Sequence, residues 1–217
     1  MKAAGRTETT PGEALVVVAV CFGWAIAGSV MSITAGSPTQ GVFTDASMST
    51  LALTELVAAA VALGVLALRR YDVAGLLPRP TWRDSGVGLL LVLATGLAST
   101  LAMLPFAAGH HDEPISRMVE AATISGPTLV LVSCVNGTFE EVFLLAFLQR
   151  GLARHGTSVA LGVMLLVRLL YHVYQGPLGA VSILGFGAVQ GLYFSRWNKL
   201  WPPVLAHIFW DIVAFLF

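Results

Sequence analysis

The run from Ala14 to Thr34, ALVVVAVCFGWAIAGSVMSIT, contains no charged residue and decides the fold class. At about 1.5 Å of rise per residue, a helix of this length crosses the roughly 30 Å hydrocarbon core of a bilayer. The apolar centre of a cleaved signal peptide is shorter, about 7–15 residues. We therefore expect this run to be a retained membrane helix.

Further apolar runs follow along the chain, each near the roughly 20 residues that a membrane helix requires. The predicted segments cover residues 14–34, 50–68, 86–109, 126–149, 157–175, 177–195 and 201–217. Of the 217 residues, 56% are hydrophobic and 11% are charged, whereas a soluble domain has roughly 25% charged residues. The sequence therefore predicts an all-α fold: a polytopic transmembrane helical bundle of about seven spans, in a single membrane domain over residues 1–217.

The positions of lysine and arginine predict the orientation of this bundle. If the N-terminus is cytoplasmic, ten of the 12 basic residues lie on the cytoplasmic side, as the positive-inside rule favours. These ten are Lys2, Arg6, Arg69, Arg70, Arg79, Arg83, Arg150, Arg154, Arg196 and Lys199. We expect a multi-pass protein of the plasma membrane, surrounded by lipid. The formal net charge of zero predicts no nucleic-acid partner.

Ionisable residues within the predicted spans are the candidates for function. Each costs at least about 2.5–3.5 kcal/mol at the bilayer centre, so such residues face the bundle interior and are functional by default. The set comprises Glu55, Glu140, Glu141, Arg168, His172, His207 and Asp211. All but Glu55 come from the last four segments. Because Glu55 has no companion on its own segment, we expect it to be a structural hydrogen-bonding residue or a lining residue.

The spacing of these residues predicts which of them share a face. Arg168 and His172 are four residues apart, as are His207 and Asp211, so each pair is predicted to lie on one face of a helix. Each pair can then present two polar groups to a common cleft.

Glu140 and Glu141 are adjacent and diverge by about 100° around a helix. One of the two is expected to face the chemistry while the other orients a neighbour. Together with the histidines and the aspartate, they supply a general base, an oxyanion donor or metal ligands, which are the groups that activate water against a carbonyl.

Three motifs occur in a recognisable order along the second half of the chain. They are Glu140-Glu141, Tyr171-His172-Val173-Tyr174-Gln175-Gly176 and His207-Ile208-Phe209-Trp210-Asp211. This order resembles the CPBP family of intramembrane proteases, the CAAX-protease and bacteriocin-processing (Abi) enzymes, and the family-like catalytic core covers about residues 126–217. The resemblance implies a bacterial intramembrane endopeptidase that cleaves a membrane-associated peptide or protein by glutamate-activated water.

The same resemblance implies roles for the site residues. Glu140 is expected to be the general base, helped by His172, while His207 with Asp211 stabilises the oxyanion. Spacing alone leaves Glu141 open as the base. No cofactor is favoured; in the alternative, Glu140, His172 and His207 hold zinc with one open position, although the HExxH helix of many zinc proteases is absent.

Two positions depart from the family pattern. Leu145 stands where the first motif usually has an arginine, and Arg168 stands where the second motif usually has a phenylalanine. We hypothesise that Arg168 supplies the missing counter-charge to Glu141. Two alternatives to the protease stay open: an ion-coupled membrane transporter that uses the same acids and histidines, and a non-catalytic member of the protease fold.

Overall fold

The computed structural model describes residues 6–34, 43–106 and 113–215, and within these ranges the fold is all-helical, as predicted. The α-helices are α1 (Pro11–Thr34), α2 (Asp45–Leu68), α3 (Trp82–Met103), α4 (Pro114–Glu120), α5 (Gly126–Glu141), α6 (Arg150–Leu152), α7 (Thr157–Leu170), α8 (Pro177–Trp197) and α9 (Trp201–Ala214). Short 3-10 helices lie at Val73–Leu76, Leu104–Phe106, Ala153–His155 and Val173–Gln175, and a π-helix lies at Val142–Gln149.

Five helical stretches of the described chain are long and apolar enough to cross a bilayer. They are Pro11–Thr34, Asp45–Leu68, Trp82–Phe106, Gly126–His155 and Pro177–Trp197. These stretches match the first four predicted segments and the sixth. The class of integral membrane protein is therefore supported, although residues 1–5, which include Lys2, and the last two residues of the seventh segment lie outside the described residues.

The other two predicted segments form shorter helices. Helices α7 and α9 have 14 residues each, which corresponds to about 21 Å against a hydrocarbon core of roughly 30 Å. Gly156 before α7 and Gly176 before α8 have φ angles of 102° and 95°, a conformation that glycine adopts without steric cost. Gly156 therefore marks the start of α7, which ends at Leu170, and the count of seven spans stays a prediction.

The continuous helical stretch Gly126–His155 lies at the centre of the bundle. Every residue from 139 to 149 is buried, and α5 packs against α2 and α9. Helix α3 packs against α8 and α9, and α7 packs against α8. This arrangement surrounds the acidic end of α5 with the helices that carry the other polar motifs.

Glycines allow close approach at two of these contacts. A Cβ atom on Gly185 of α8 would lie 2.9 Å from the backbone oxygen of Ala98 in α3, and one on Gly137 of α5 would lie 3.1 Å from the backbone nitrogen of Ile208 in α9. Both approaches are to backbone atoms, which cannot move aside locally. Gly185 therefore has the packing role expected for small residues in membrane helices.

Several of the basic residues predicted to be cytoplasmic gather at one end of the bundle. Arg6 and Arg69 both bind the Glu13 carboxylate near the start of α1. Lys199, between α8 and α9, donates to Asp84 in the first turn of α3 at 2.6 Å, and this hydrogen bond raises the pKa of Lys199. A short loop joins the end of α2 to the start of α3, so these contacts share one end, whose cytoplasmic location stays a prediction.

Candidate active site

The two adjacent glutamates lie where α5 changes its geometry. The chain continues from Glu141 as the π-helix Val142–Gln149, and such widened turns are frequent at functional sites. Glu140 is 4% exposed and Glu141 is fully buried. Their carboxylates accept hydrogen bonds from different residues, although Arg168 and His207 lie within 4 Å of both.

Glu141 is held by side chains from two other helices. Its Oε1 accepts a hydrogen bond from Arg168 Nη2 at 2.7 Å and one from His207 Nδ1 at 2.6 Å. Because an ionised carboxylate only accepts hydrogen bonds, His207 carries its proton on Nδ1 here. Arg168 is 1% exposed, and its guanidinium lies over the Phe186 ring at 5.0 Å. The structure thus contains the Arg168–Glu141 ion pair of the sequence hypothesis; its role in activity stays a prediction.

Glu140 accepts its hydrogen bond from a different residue. Its Oε2 accepts a hydrogen bond from the Tyr171 hydroxyl at 2.5 Å, and the Tyr171 ring stacks on Phe22 of α1. Arg168 Nη1 lies 3.7 Å and His207 Nε2 lies 3.9 Å from the same carboxylate oxygen. The sequence reasoning missed Tyr171 because it considered only acids, bases and histidines, although Tyr171 directly precedes His172 in the second motif.

His207 and Asp211 share one face of α9, as predicted. His207 Nε2 lies 3.5 Å from Asp211 Oδ1, and Asn136 of α5 donates to Asp211 Oδ2 at 3.0 Å. The sequence reasoning also missed Asn136. The available signal was its spacing, because Asn136 lies four residues before Glu140 and therefore on the same helical face.

The prediction that Arg168 and His172 lie on one helix is wrong, although both line one cavity, as the prediction of a common cleft required. Helix α7 ends at Leu170, and His172 lies in the turn that follows. Its Nδ1 donates instead to the backbone oxygen of Arg168 at 2.9 Å. Because this hydrogen bond uses Nδ1, Nε2 is the nitrogen of the half-buried ring that can contact another group. Because α7 ends at Leu170, His172 lies in the turn beside the other motifs.

Two cavities meet at these residues. The α2 cavity, of about 200 Å³, lies beside α1 and α2 and is lined by Glu55 and Glu140 among others. The α8 cavity, of about 370 Å³, lies beside α4 and α8 and is lined by Arg168 and His207 among others. Four residues line both cavities: Asn136, His172, Gln175 and Asp211. A group that enters either cavity therefore reaches the same polar cluster.

The predicted site residues thus come together despite their separation in sequence. Glu140, Glu141, Arg168, His207 and Asp211 form one contiguous cluster, and His172 borders it.

In the described ranges, no group of three or more His, Cys, Asp or Glu side chains is arranged to hold a metal ion. Both His172 and His207 nevertheless use Nδ1 for a hydrogen bond to oxygen, which is also how metal-binding histidines are commonly oriented. The zinc alternative and the metal-free alternative both stay predictions.

Comparison with known proteins gives a match to a protein family. Residues 122–213 match the family model described as type II CAAX prenyl endopeptidase Rce1-like, which confirms the family resemblance inferred from the three motifs. No curated protein and no solved structure matches the chain. The matched range contains the whole cluster from Asn136 to Asp211 and excludes α1, α2 and α3, so Glu55 lies outside it.

Proposed function

We propose that this chain, whose residues 122–213 match the type II CAAX prenyl endopeptidases, is a multi-pass protease of the plasma membrane. It hydrolyses a peptide bond in a membrane-associated protein or peptide by a water molecule that Glu140 activates. The family match supports proteolysis, and the five apolar helical stretches support a membrane location. Seven spans with a cytoplasmic N-terminus are part of the proposal.

The different surroundings of the two glutamates carry this proposal. Glu141 is fully buried, and its Oε1 accepts hydrogen bonds from both Arg168 and His207. Glu140 lines the α2 cavity and is therefore accessible to a water molecule. We assign Glu140 as the general base and Glu141 as the residue that positions His207.

The first step is attack of water on the scissile carbonyl carbon. Tyr171 occupies Oε2 of Glu140, so Oε1 is the atom that takes the proton from water. The resulting hydroxide forms a bond to the carbonyl carbon, and the carbonyl oxygen becomes an oxyanion. A positioned carboxylate of this kind accelerates proton transfer by about 10²–10⁴-fold.

The oxyanion requires hydrogen-bond donors in a site with little water. His207 Nε2 faces Asp211 and the cavities, and in its protonated form it donates to the oxyanion. In the second step the carbon–nitrogen bond breaks, and the proton held by Glu140 passes to the leaving amine. The products are a carboxylic acid and a free amine, and the glutamate returns to its ionised form.

The short helices support access of water to such a site. Helix α7 ends before His172, and the chain continues through a turn and the short 3-10 helix Val173–Gln175. Irregular backbone at membrane depth is tolerated where it borders a cavity or is buried in protein. Two cavities border this turn through His172 and Gln175.

The proposal is tested with purified protein in lipid nanodiscs. A farnesylated CAAX-type peptide and other lipid-anchored peptides are incubated with the protein, and products are identified by mass spectrometry. Glu140→Gln keeps the shape of the side chain and should lower the cleavage rate by about 10²–10⁴-fold. Glu120→Gln, at an exposed position of α4, is the matched control. Cleavage that is unchanged in Glu140→Gln would contradict the assigned base.

A further inference from the structure

Glu55 lies outside the catalytic cluster but lines the same cavity as Glu140. It is 3% exposed, and its Oε2 has no hydrogen-bond partner within the described ranges. Ser133 Oγ of α5 lines the same cavity and likewise has no partner among the residues described. Leaving a buried polar atom without a partner costs about 1–3 kcal/mol. Both oxygens are therefore suited to a ligand that brings hydrogen-bond donors.

The charge of the α2 cavity indicates the kind of ligand. The carboxylates of Glu55, Glu140 and Asp211 line it, and no lysine or arginine is found among its lining residues in the described chain. Asp211 accepts a hydrogen bond from Asn136, and Glu140 accepts one from Tyr171. Arg168 lies 3.7 Å from Glu140, and His207 lies 3.5 Å from Asp211, whereas Glu55 has no ion-pair partner among the described residues. A nearby cation stabilises the charged form of a carboxylate that is buried in a low-dielectric site. The α2 cavity therefore favours a cation.

Aromatic side chains complete the cavity. Phe22 and Trp24 of α1 line it together with Tyr174 from the turn after α7. Aromatic faces attract ammonium and guanidinium groups, and they also pack against the methylene chains of lysine and arginine. The combination of rings and carboxylates matches a long basic side chain better than it matches a purely apolar group.

From these features we propose that Glu55 binds a lysine or arginine side chain of the peptide substrate in the α2 cavity. This inference rests on the proposed proteolysis and specifies its substrate class: a membrane-associated peptide with a basic residue close to the cleaved bond. A lysine ammonium has three N–H donors, and Glu55 Oε2 and Ser133 Oγ are acceptors without a partner in the part of the chain that the structure describes. Because Glu140 lines the same cavity, the basic side chain is bound next to the activated water.

Binding is measured separately from cleavage. The probes are palmitoylated, fluorescein-labelled hexapeptides of glycine and serine in which a single lysine occupies each position in turn. A second series carries norleucine, which keeps the methylene chain but lacks the charge. Binding to the protein in zwitterionic nanodiscs is followed by fluorescence anisotropy, so that lipid charge does not attract the lysine peptides.

We expect at least one lysine peptide to bind about tenfold to a hundredfold more tightly than its norleucine counterpart, the range for a hydrogen bond to a charged group. Glu55→Gln should remove most of this difference, whereas Glu120→Gln should retain it. Equal binding of the two series to the unaltered protein overturns the inference without any variant. A preference that persists in correctly folded Glu55→Gln protein overturns the role of Glu55.

Cleavage of the same peptides distinguishes this inference from the proposed function. Preferential binding of lysine peptides without hydrolysis contradicts the protease and leaves the cation site in place. Hydrolysis that is equally fast for lysine and norleucine peptides supports the protease and contradicts the cation site. As a further check, Glu55→Asp keeps the charge but shortens the side chain, and it should preserve part of the preference.

Discussion

Arg168 Nη2 donates to Glu141 Oε1 over 2.7 Å, and this ion pair joins α7 to the end of α5 with both side chains almost fully buried. The family pattern expects an arginine at the position of Leu145, one helical turn after Glu141. Leu145 is instead completely buried in the apolar core. The guanidinium therefore reaches the same carboxylate from a different helix.

Replacing Arg168 should destabilise the protein. Arg168→Leu leaves the Glu141 carboxylate buried without its cation, and removing one partner of a buried ion pair costs about 3–5 kcal/mol. We expect a lower free energy of unfolding and a lower cleavage rate, measured by denaturant unfolding and by the peptide assay. Arg117→Leu, at an exposed position of α4, should change neither. Unaltered folding and activity in Arg168→Leu would show that Glu141 needs no counter-charge.

Removing the Tyr171 hydroxyl should affect catalysis more than folding. Tyr171→Phe retains the ring that stacks on Phe22 and deletes the hydrogen bond to Glu140. Hydrogen bonds to charged groups contribute about 1.5–3 kcal/mol, so kcat should fall by about tenfold to a hundredfold. Tyr193→Phe, which removes a hydroxyl from the ring stacked on Trp197, is the control. Equal kcat values in both variants would exclude a role for the Tyr171 hydroxyl.

For activity, the ability of residue 211 to accept a hydrogen bond should matter more than its negative charge. Asp211→Asn keeps an oxygen that can accept the hydrogen bond from Asn136, whereas Asp211→Ala removes it. Because Asp211→Asn retains this acceptor, we expect it to keep most of the activity and Asp211→Ala to lose it. The comparison uses kcat and KM for one peptide. Equal loss in both variants would mean that the negative charge beside His207 is itself required.

Metal removal tests the cofactor alternatives. A zinc ion held by Glu140, His172 and His207 would add a second cation close to Arg168, whose Nη1 lies 3.7 Å from Glu140 Oε2. Like charges repel strongly where the dielectric is low, so we expect cleavage to persist after treatment with phenanthroline or EDTA. Metal content of the purified protein is measured in parallel. Loss of cleavage that zinc restores would favour the three-ligand zinc site.

The class of membrane protein and the residues of the polar cluster could be predicted because both depend on local properties of the sequence. Length and hydropathy identify spans such as Ala14–Thr34 without knowledge of their packing. Glu140, His207 and Asp211 could be identified because ionisable groups are rare at membrane depth. The pairing of His207 with Asp211 follows from a spacing of four on a regular helix.

The features that were not predicted from the sequence occur where a regular helix ends or changes its geometry. His172 was predicted to lie on the helix of Arg168 because the apolar run continues past Leu170, where α7 ends. The π-helix at Val142–Gln149 has no signal in a sequence of uniformly apolar residues. Tyr171 was overlooked because its importance depends on which carboxylate its hydroxyl meets, and that is decided by the turn after α7.

The glycine at the α3–α8 contact offers a test of packing that is independent of the chemistry. A Cβ on Gly185 would lie 2.9 Å from Ala98 O and 3.0 Å from Ser99 Cα, so Gly185→Ala forces two backbones apart. Overpacking of this kind costs about 1–3 kcal/mol. Gly162→Ala in α7 is the control, since no atom lies within 4 Å of its added Cβ, and alanine there should stabilise the helix by up to about 1 kcal/mol. Unfolding of both variants in denaturant measures the difference. Equal stability of the two variants would contradict the close α3–α8 contact.

The same substitution should also affect activity. Helix α8 provides Phe186, which lies under the Arg168 guanidinium. A displaced α8 should therefore lower the cleavage rate as well as the free energy of unfolding.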